Sequence, residues 1–267
     1  MDASSLFSII EQVRTASPLV HNITNYVVMN NTANALLAAG ASPVMAHAEE
    51  EVADMVGIAS SLVINIGTLS PHWVRSMELA MTTAKNLGKP VVLDPVGAGA
   101  TPYRNEVLAQ LLAAAAPTVI RGNGSEIGAT QNQAQKTKGV DSTAASHTAI
   151  SAAQSLNQLL GSVVCISGEV DYVIQGDRVG EIHNGSAMMA KVTGMGCTAT
   201  SLIGACLGVH EDAFEATMAA MSLIGVAGEL AAKKAAGPGS LQLHLLDTLY
   251  TLSKEEFTAT VRTTIQA

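Results

Sequence analysis

Aromatic side chains make up only 3% of the 267 residues, and charged ones only 13%. The first shortage means that any core is built from Ala, Val, Leu, Ile and Met packed at close range, without a few large rings dominating stability. The second leaves too little charge to cover an isolated globule that is 48% apolar, and predicts that part of the surface is buried between subunits. Basic residues are scarce and unclustered: 14 against 22 acidic ones give a net charge of −8, which excludes the positive footprint that nucleic acid needs. Cysteine is equally sparse. Cys165, Cys197 and Cys206 are an odd number without paired spacing or companion histidines, so neither a disulfide framework nor a zinc site is expected. That usage predicts a reducing, cytoplasmic setting. The chain opens without a basic-then-apolar leader, and no apolar run approaches bilayer length, so neither secretion nor membrane insertion is expected.

What is present is an alternation of short β-branched runs with longer Ala/Leu-rich segments, the pattern of a mostly parallel sheet covered by helices. The expectation is an α/β fold in one domain spanning 1–267. Strands are predicted near 42–45, 62–66, 91–93, 118–120 and 163–166. A further pair at 172–175 and 178–183 is joined by Gly176-Asp177 and reads as a hairpin on an antiparallel sheet edge. Helices are predicted at 6–15, 27–39, 49–59, 72–87, 105–115, 125–131, 143–160, 197–208, 212–234, 240–252 and 254–262. Pro71 after Ser70 marks a helix start, and Ser253-Lys254-Glu255-Glu256 reads as a capping box. The polar stretch 132–146 reads as a surface loop.

Four segments carry residues suited to chemistry. In Gly194-Met195-Gly196-Cys197, two glycines open a small-residue helix whose unpaired N–H groups can face a phosphate. The same helix end is expected to lower the Cys197 thiol pKa and fit it to accept a proton; a tight helix entry with an inert cysteine fits the spacing equally well. Asp94, in Leu93-Asp94-Pro95-Val96-Gly97-Ala98-Gly99, ends a buried strand where open α/β sheets bind ligands, although strand-end Asp also caps loops. In Arg121-Gly122-Asn123-Gly124-Ser125-Glu126, the cation can grip phosphate oxygens and the carboxylate can hold magnesium. The alternative makes Glu126 an acid that offsets a helix dipole, with Arg121 as its surface partner. With Ser167-Gly168-Glu169, these segments assemble the positioning and charge neutralisation that phosphoryl transfer requires. Near the N-terminus, His21-Asn22-Ile23-Thr24-Asn25-Tyr26 and Pro43-Val44-Met45 offer a polar anchor and an apolar wall for a small heteroaromatic alcohol. A helix-capping Asn and a core Met are the plainer readings there. Cys165 and Cys206 read as core.

Taken in order and with their spacings, Asn22-Ile23-Thr24-Asn25-Tyr26-Val27, Ala41-Ser42-Pro43-Val44-Met45, the Asp94 and Arg121–Glu126 segments and Gly194-Met195-Gly196-Cys197 resemble the hydroxyethylthiazole kinase family over nearly the whole chain. Most ribokinase-like enzymes carry Asp where Cys197 stands, and cysteine there is typical of the thiazole kinases. The resemblance implies a ribokinase-like three-layer α/β/α fold with a mostly parallel central sheet. It also implies phosphorylation of a thiazole alcohol by ATP with Mg²⁺. Met45 and Gly194 would contact the thiazole, with Asn25 near its hydroxyl. Arg121 and Ser167 would bind ATP, Asp94 and Glu126 would manage the metal, and Cys197 would stand at the catalytic-base position. A homotrimer with sites between subunits is implied as well. Met195 departs from the Thr of many relatives and removes a hydroxyl. Two alternatives from other classes are a nucleotide-dependent dehydratase of the same fold and a non-catalytic thiamine-precursor binding protein.

Overall fold

A computed structural model describes residues 1–137 and 149–266. In chain order the elements are α1 (Ala3–Ala16), β1 (Leu19–Ile23), α2 (Met29–Ala39), β2 (Ser42–Val44), α3 (Val52–Ile58), β3 (Ser61–Asn65), α4 (Pro71–Leu87), β4 (Val91–Asp94), α5 (Pro102–Ala114) and β5 (Val119–Asn123). They continue with α6 (Gly124–Thr137), α7 (Ala149–Leu160), β6 (Val163–Ser167), β7 (Asp171–Gln175), β8 (Arg178–Ile182), a 3₁₀ turn at Ala187–Lys191, α8 (Met195–Leu207), α9 (Ala213–Lys234), α10 (Pro238–Thr251), α11 (Lys254–Thr260) and β9 (Thr263–Gln266).

All described strands join one sheet in the order β2-β1-β3-β4-β5-β6-β7-β8-β9. Pairing is parallel from β2 through β6 and antiparallel from β6 to β9. Successive strand residues point to opposite faces, and the core divides accordingly. Val63, Val92, Val119 and Val163 pack with α1, α2, α8, α9 and α10, whereas Leu62, Ile64, Leu93, Ile120 and Ile166 pack with α3 to α7. The result is the helix-covered, mostly parallel sheet expected from the alternation, in the three-layer α/β/α arrangement that the resemblance implied. The Gly176-Asp177 hairpin forms between β7 and β8, Pro71 sits in the first turn of α4, and the Ser253–Glu256 capping box closes at α11.

Several expectations are corrected. β1 and β9 were not predicted. β1 buries His21 and Asn22 completely; His21 Nε2 bonds the Ala46 carbonyl at 2.7 Å and Asn22 accepts from Ser201 at 2.8 Å, while His21 Nδ1 has no partner among the described residues. β9 pairs with β8, so the chain after Thr260 continues as an edge strand and not as helix. Residues 132–137, expected in a loop, continue α6; the rest of that stretch, and the start of the helix expected at 143–160, lie outside the described residues. Glu49–Glu51 form a turn ahead of α3 and not its first turn. Finally, α9 is long and apolar enough to span a bilayer by length and composition, contrary to the expectation of no such run. Its apolar length is accounted for by burial inside the α-layer.

α8 crosses the sheet with its small residues downward. Ser61 Oγ donates to the Gly204 carbonyl at 2.7 Å, and a Cβ on Gly204 would stand 2.8 Å from Val63 Cγ2 and 3.1 Å from Val20 Cγ1. Gly204→Val is therefore expected to destabilise the protein by about 1–3 kcal/mol through overpacking, read as a lower urea midpoint with an unchanged m-value.

Candidate active site

Parallel pairing puts the carboxyl ends of β1 to β6 along one edge, so loops far apart in sequence converge there. Asp94 ends β4 and is fully buried. Its Oδ2 accepts from Asn65 Nδ2, at the end of β3, and from Thr200 Oγ1, on α8, each at 2.8 Å. Its Oδ1 has no partner among the described residues. Burial raises the Asp94 pKa to about 6 against the pull of the Arg121 guanidinium and the Thr200 hydrogen bond.

Gly194 precedes α8 in the left-handed region at φ 80°, and a Cβ there would lie 2.6 Å from Val28 Cγ1. Glycine is thus required twice over, by conformation and by space. Cys197 follows in the first turn, with its Sγ 3.6 Å from Asn25 Nδ2. Asn25 Nδ2 also donates to Asn65 Oδ1 at 2.9 Å, so Asn25, Asn65, Asp94, Thr200 and Cys197 form one connected group. The expected lowering of the thiol pKa is reversed. Burial, reinforced by the Asp94 carboxylate, raises Cys197 to about 11 against the hydrogen bonds from Asn65 and Asn25 and the pull of Arg121.

Arg121 lies within β5, not in the loop after it. Its guanidinium packs under Gly196 so closely that any Cβ there would collide with Nη1, which explains the second glycine of the motif. The alternative of an Arg121–Glu126 surface pair is not what forms. Glu126, in the first turn of α6, accepts from Asn123 N at 2.9 Å and reaches across to Gly97 N at 2.8 Å, tying the β5 loop to the β4 loop. Ser167 ends β6 and donates to the Gly122 carbonyl at 3.4 Å. Met45 follows β2 at the outer end of the same edge, half-buried, beside the Ala46 carbonyl that His21 holds. Near it, Tyr26 and His47 pack on the buried Trp73 with ring centroids 4.7 and 4.5 Å apart, an aromatic wall next to Asn25. Cys165 and Cys206 are buried core residues, as expected.

All eight residues singled out from the sequence therefore lie along one sheet edge or at the helix mouth above it. Four further residues of this edge were missed. Asn65 and Thr200 complete the group around Asp94. Gly67 approaches Asn25 so closely that a Cβ would stand 2.6 Å from its Nδ2. Arg104 donates to the Ile66, Gly67 and Val96 carbonyls, clamping the loops after β3 and β4 together. An Asn ending an otherwise apolar strand, and a Thr one turn past Cys197 on the same helix face, were the signals available for the first two.

The raised thiol pKa has a direct consequence. Each unit of increase lowers the thiolate fraction at neutral pH about tenfold. At pH 8 Cys197 is expected to react with iodoacetamide far more slowly than a free thiol, with the rate climbing as pH rises towards about 11. Peptide mass analysis that found Cys197 alkylated at the free-thiol rate at pH 8 would refute the assignment.

Comparison with known proteins matches residues 10–255 to the profile of the hydroxyethylthiazole kinase family. Hydroxyethylthiazole kinase of Leptospira biflexa is 56% identical over 246 residues, 92% of each chain. The structure of the hydroxyethylthiazole kinase protein from Pyrococcus horikoshii OT3 superposes with a TM-score of 0.90 at 40% identity, covering 98% of this chain and 99% of that one. A ribokinase-like superfamily protein from Enterococcus faecalis V583 shares the fold at a TM-score of 0.66 with 14% identity, over 90% of this chain and 87% of that one. With the geometry of the sheet edge and these matches together, the chain belongs to the hydroxyethylthiazole kinase family.

Proposed function

We propose that the protein transfers the γ-phosphoryl group of ATP to the hydroxyl of 4-methyl-5-(2-hydroxyethyl)thiazole, the salvage step that supplies the thiazole half of thiamine. The observation that carries this reading is the continuous hydrogen-bonded group from Cys197 through Asn25 and Asn65 to Asp94, set at a glycine-opened helix mouth. The hydroxyl oxygen attacks phosphorus in line, the bond to ADP breaks, and the hydroxyl proton is released to water as the new phosphate ester forms. Arg121 and the backbone N–H groups at Gly194–Cys197 stabilise the charge on the transferring group. Arg121 and Ser167 hold the nucleotide. Gly194 and Met45 take the thiazole ring, and Asn25 takes its hydroxyl.

A thiol held near 11 is about one part in 10⁴ thiolate at pH 7, so proton removal by Cys197 contributes little early. A loose transition state tolerates that, since positioning and charge neutralisation supply most of the rate. No group of three or more His, Cys, Asp or Glu able to cage a metal occurs among the described residues. That suits Mg²⁺, which takes one or two carboxylates, waters and substrate phosphates. The unpartnered Asp94 Oδ1, with Glu126 nearby, is the chain's contribution, and the ion would neutralise phosphate charge there. We further propose one kinase domain over 1–267, a cytoplasmic setting, and a homotrimer with thiazole sites between subunits. Exposed apolar side chains such as Tyr26, Val27 and Tyr250 support the assembly.

The test is to incubate the purified protein with MgATP and a panel of thiazole, pyrimidine and sugar alcohols and to identify phosphorylated products by mass. The thiazole alcohol phosphate is expected, and its absence would sink the reading. Chelation should abolish turnover and Mg²⁺ should restore it. Asp94→Asn is expected to cut kcat by about 10²-fold or more. Cys197→Ala should cost less than the roughly 10⁴-fold upper range for loss of a general base.

A further inference from the structure

We propose that Asn65 is a positioning residue that fixes which end of the Asn25 amide faces the acceptor alcohol, so that the Asn25 oxygen, and not its nitrogen, meets the substrate hydroxyl. The inference rests on the kinase reading above and deepens it.

Hydrogen-bond direction leads to this assignment in three steps. An amide side chain has one accepting end and one donating end, and which is which must come from its surroundings. The backbone N–H of Gly67 can only donate, and it lies 2.9 Å from Asn65 Oδ1. The oxygen of Asn65 is therefore the end that faces Gly67, and its nitrogen faces the Asp94 carboxylate, an acceptor, at 2.8 Å. Because Asn65 Oδ1 also faces the Asn25 amide at 2.9 Å, Asn25 must present its nitrogen inward. A flipped Asn25 would set oxygen against oxygen. The second hydrogen on that nitrogen is directed to Cys197 Sγ at 3.6 Å.

Both Asn25 donors are then used inside the protein. Asn25 is only 4% exposed, yet no described residue donates to its Oδ1, and that oxygen is not among the sealed, unpartnered atoms. A nearly buried acceptor left open is completed by a donor from outside, and the O–H of an acceptor alcohol is such a donor. Accepting that hydrogen bond leaves the lone pairs of the hydroxyl oxygen free to face phosphorus. Gly67 allows the arrangement, since its missing Cβ is what lets the Asn25 amide lie against the backbone. Asn65 touches no substrate in this account and acts through the groups it bonds, Asn25 and Asp94, with a further side-chain hydrogen bond to Cys197.

The experiment compares calorimetric binding of the hydroxyethyl thiazole with that of its 5-ethyl analogue, which lacks the hydroxyl. The native protein should prefer the alcohol about tenfold, the order expected for one buried hydrogen bond. Asn65→Leu removes the constraint on Asn25 and should reduce the preference to less than about twofold. Asn65→Asp keeps an acceptor towards Gly67 and Asn25 and should keep the preference, even where kcat falls. Retention of the preference in Asn65→Leu, equal loss in both variants, or no preference in the native protein overturns the assignment. Should Asn65→Leu fail to fold, hydrogen exchange of the Asn25 side-chain NH₂ in the native protein decides: slow without ligand supports the assignment, fast exchange overturns it. Failure of the native protein to phosphorylate the thiazole alcohol is a separate result, and it removes the kinase reading instead.

Discussion

A carboxylate with no exposure to water is the constraint around which this structure is organised. Burying a charge is costly unless it is paired or hydrogen-bonded, and Asp94 meets that demand by drawing in Asn65, Thr200 and the field of Arg121. Three elements, β3, β5 and α8, are thereby fixed relative to β4 at the edge where ligands of open α/β sheets bind. Compensation is incomplete. Asp94 Oδ1 is left without a partner among the described residues, the kind of unmet demand that a functional centre keeps and a purely structural carboxylate does not.

From Asp94 the same logic spreads outward. Asn65 transmits the direction of the Gly67 N–H to Asn25, and Asn25 transmits it to Cys197. Two glycines are set by this close packing and not by turn chemistry: Gly67 lies against the Asn25 amide, and Gly196 against the Arg121 guanidinium. Gly194 combines both demands, a left-handed backbone and contact with Val28. Around this centre Arg104 and Glu126 hold the loops themselves, through carbonyls and backbone N–H groups. Preorganisation of that kind is what a reaction with little covalent work for the protein requires.

The reversal at Cys197 shows how one local rule can be outweighed. A thiol in the first turn of a helix gains from the helix dipole, an effect of modest size that falls off within a turn. Desolvation and a neighbouring carboxylate act on the same atom at close range and win. The nearby helix end therefore does not set the protonation of the sulfur.

Some features were legible in the chain because they depend on neighbours in sequence. The α/β alternation, the Gly176-Asp177 hairpin, the Ser253 capping box and the strand-end position of Asp94 all follow from periodicity and turn chemistry. So did the separate segments that end at the active edge. Other features were decided only by partners distant in sequence. His21 and Asn22 lie buried in a strand where Ala46 bonds His21 Nε2 and Ser201 bonds Asn22; Asn65 and Thr200 become site residues because Asp94 lies between them; and the Cys197 pKa follows from enclosure, which no spacing encodes. Local pattern sets which elements form, because propensity and capping act over one or two turns. Which polar groups meet, and what that contact does to their protons, is settled by burial and hydrogen-bond direction across strands of the sheet.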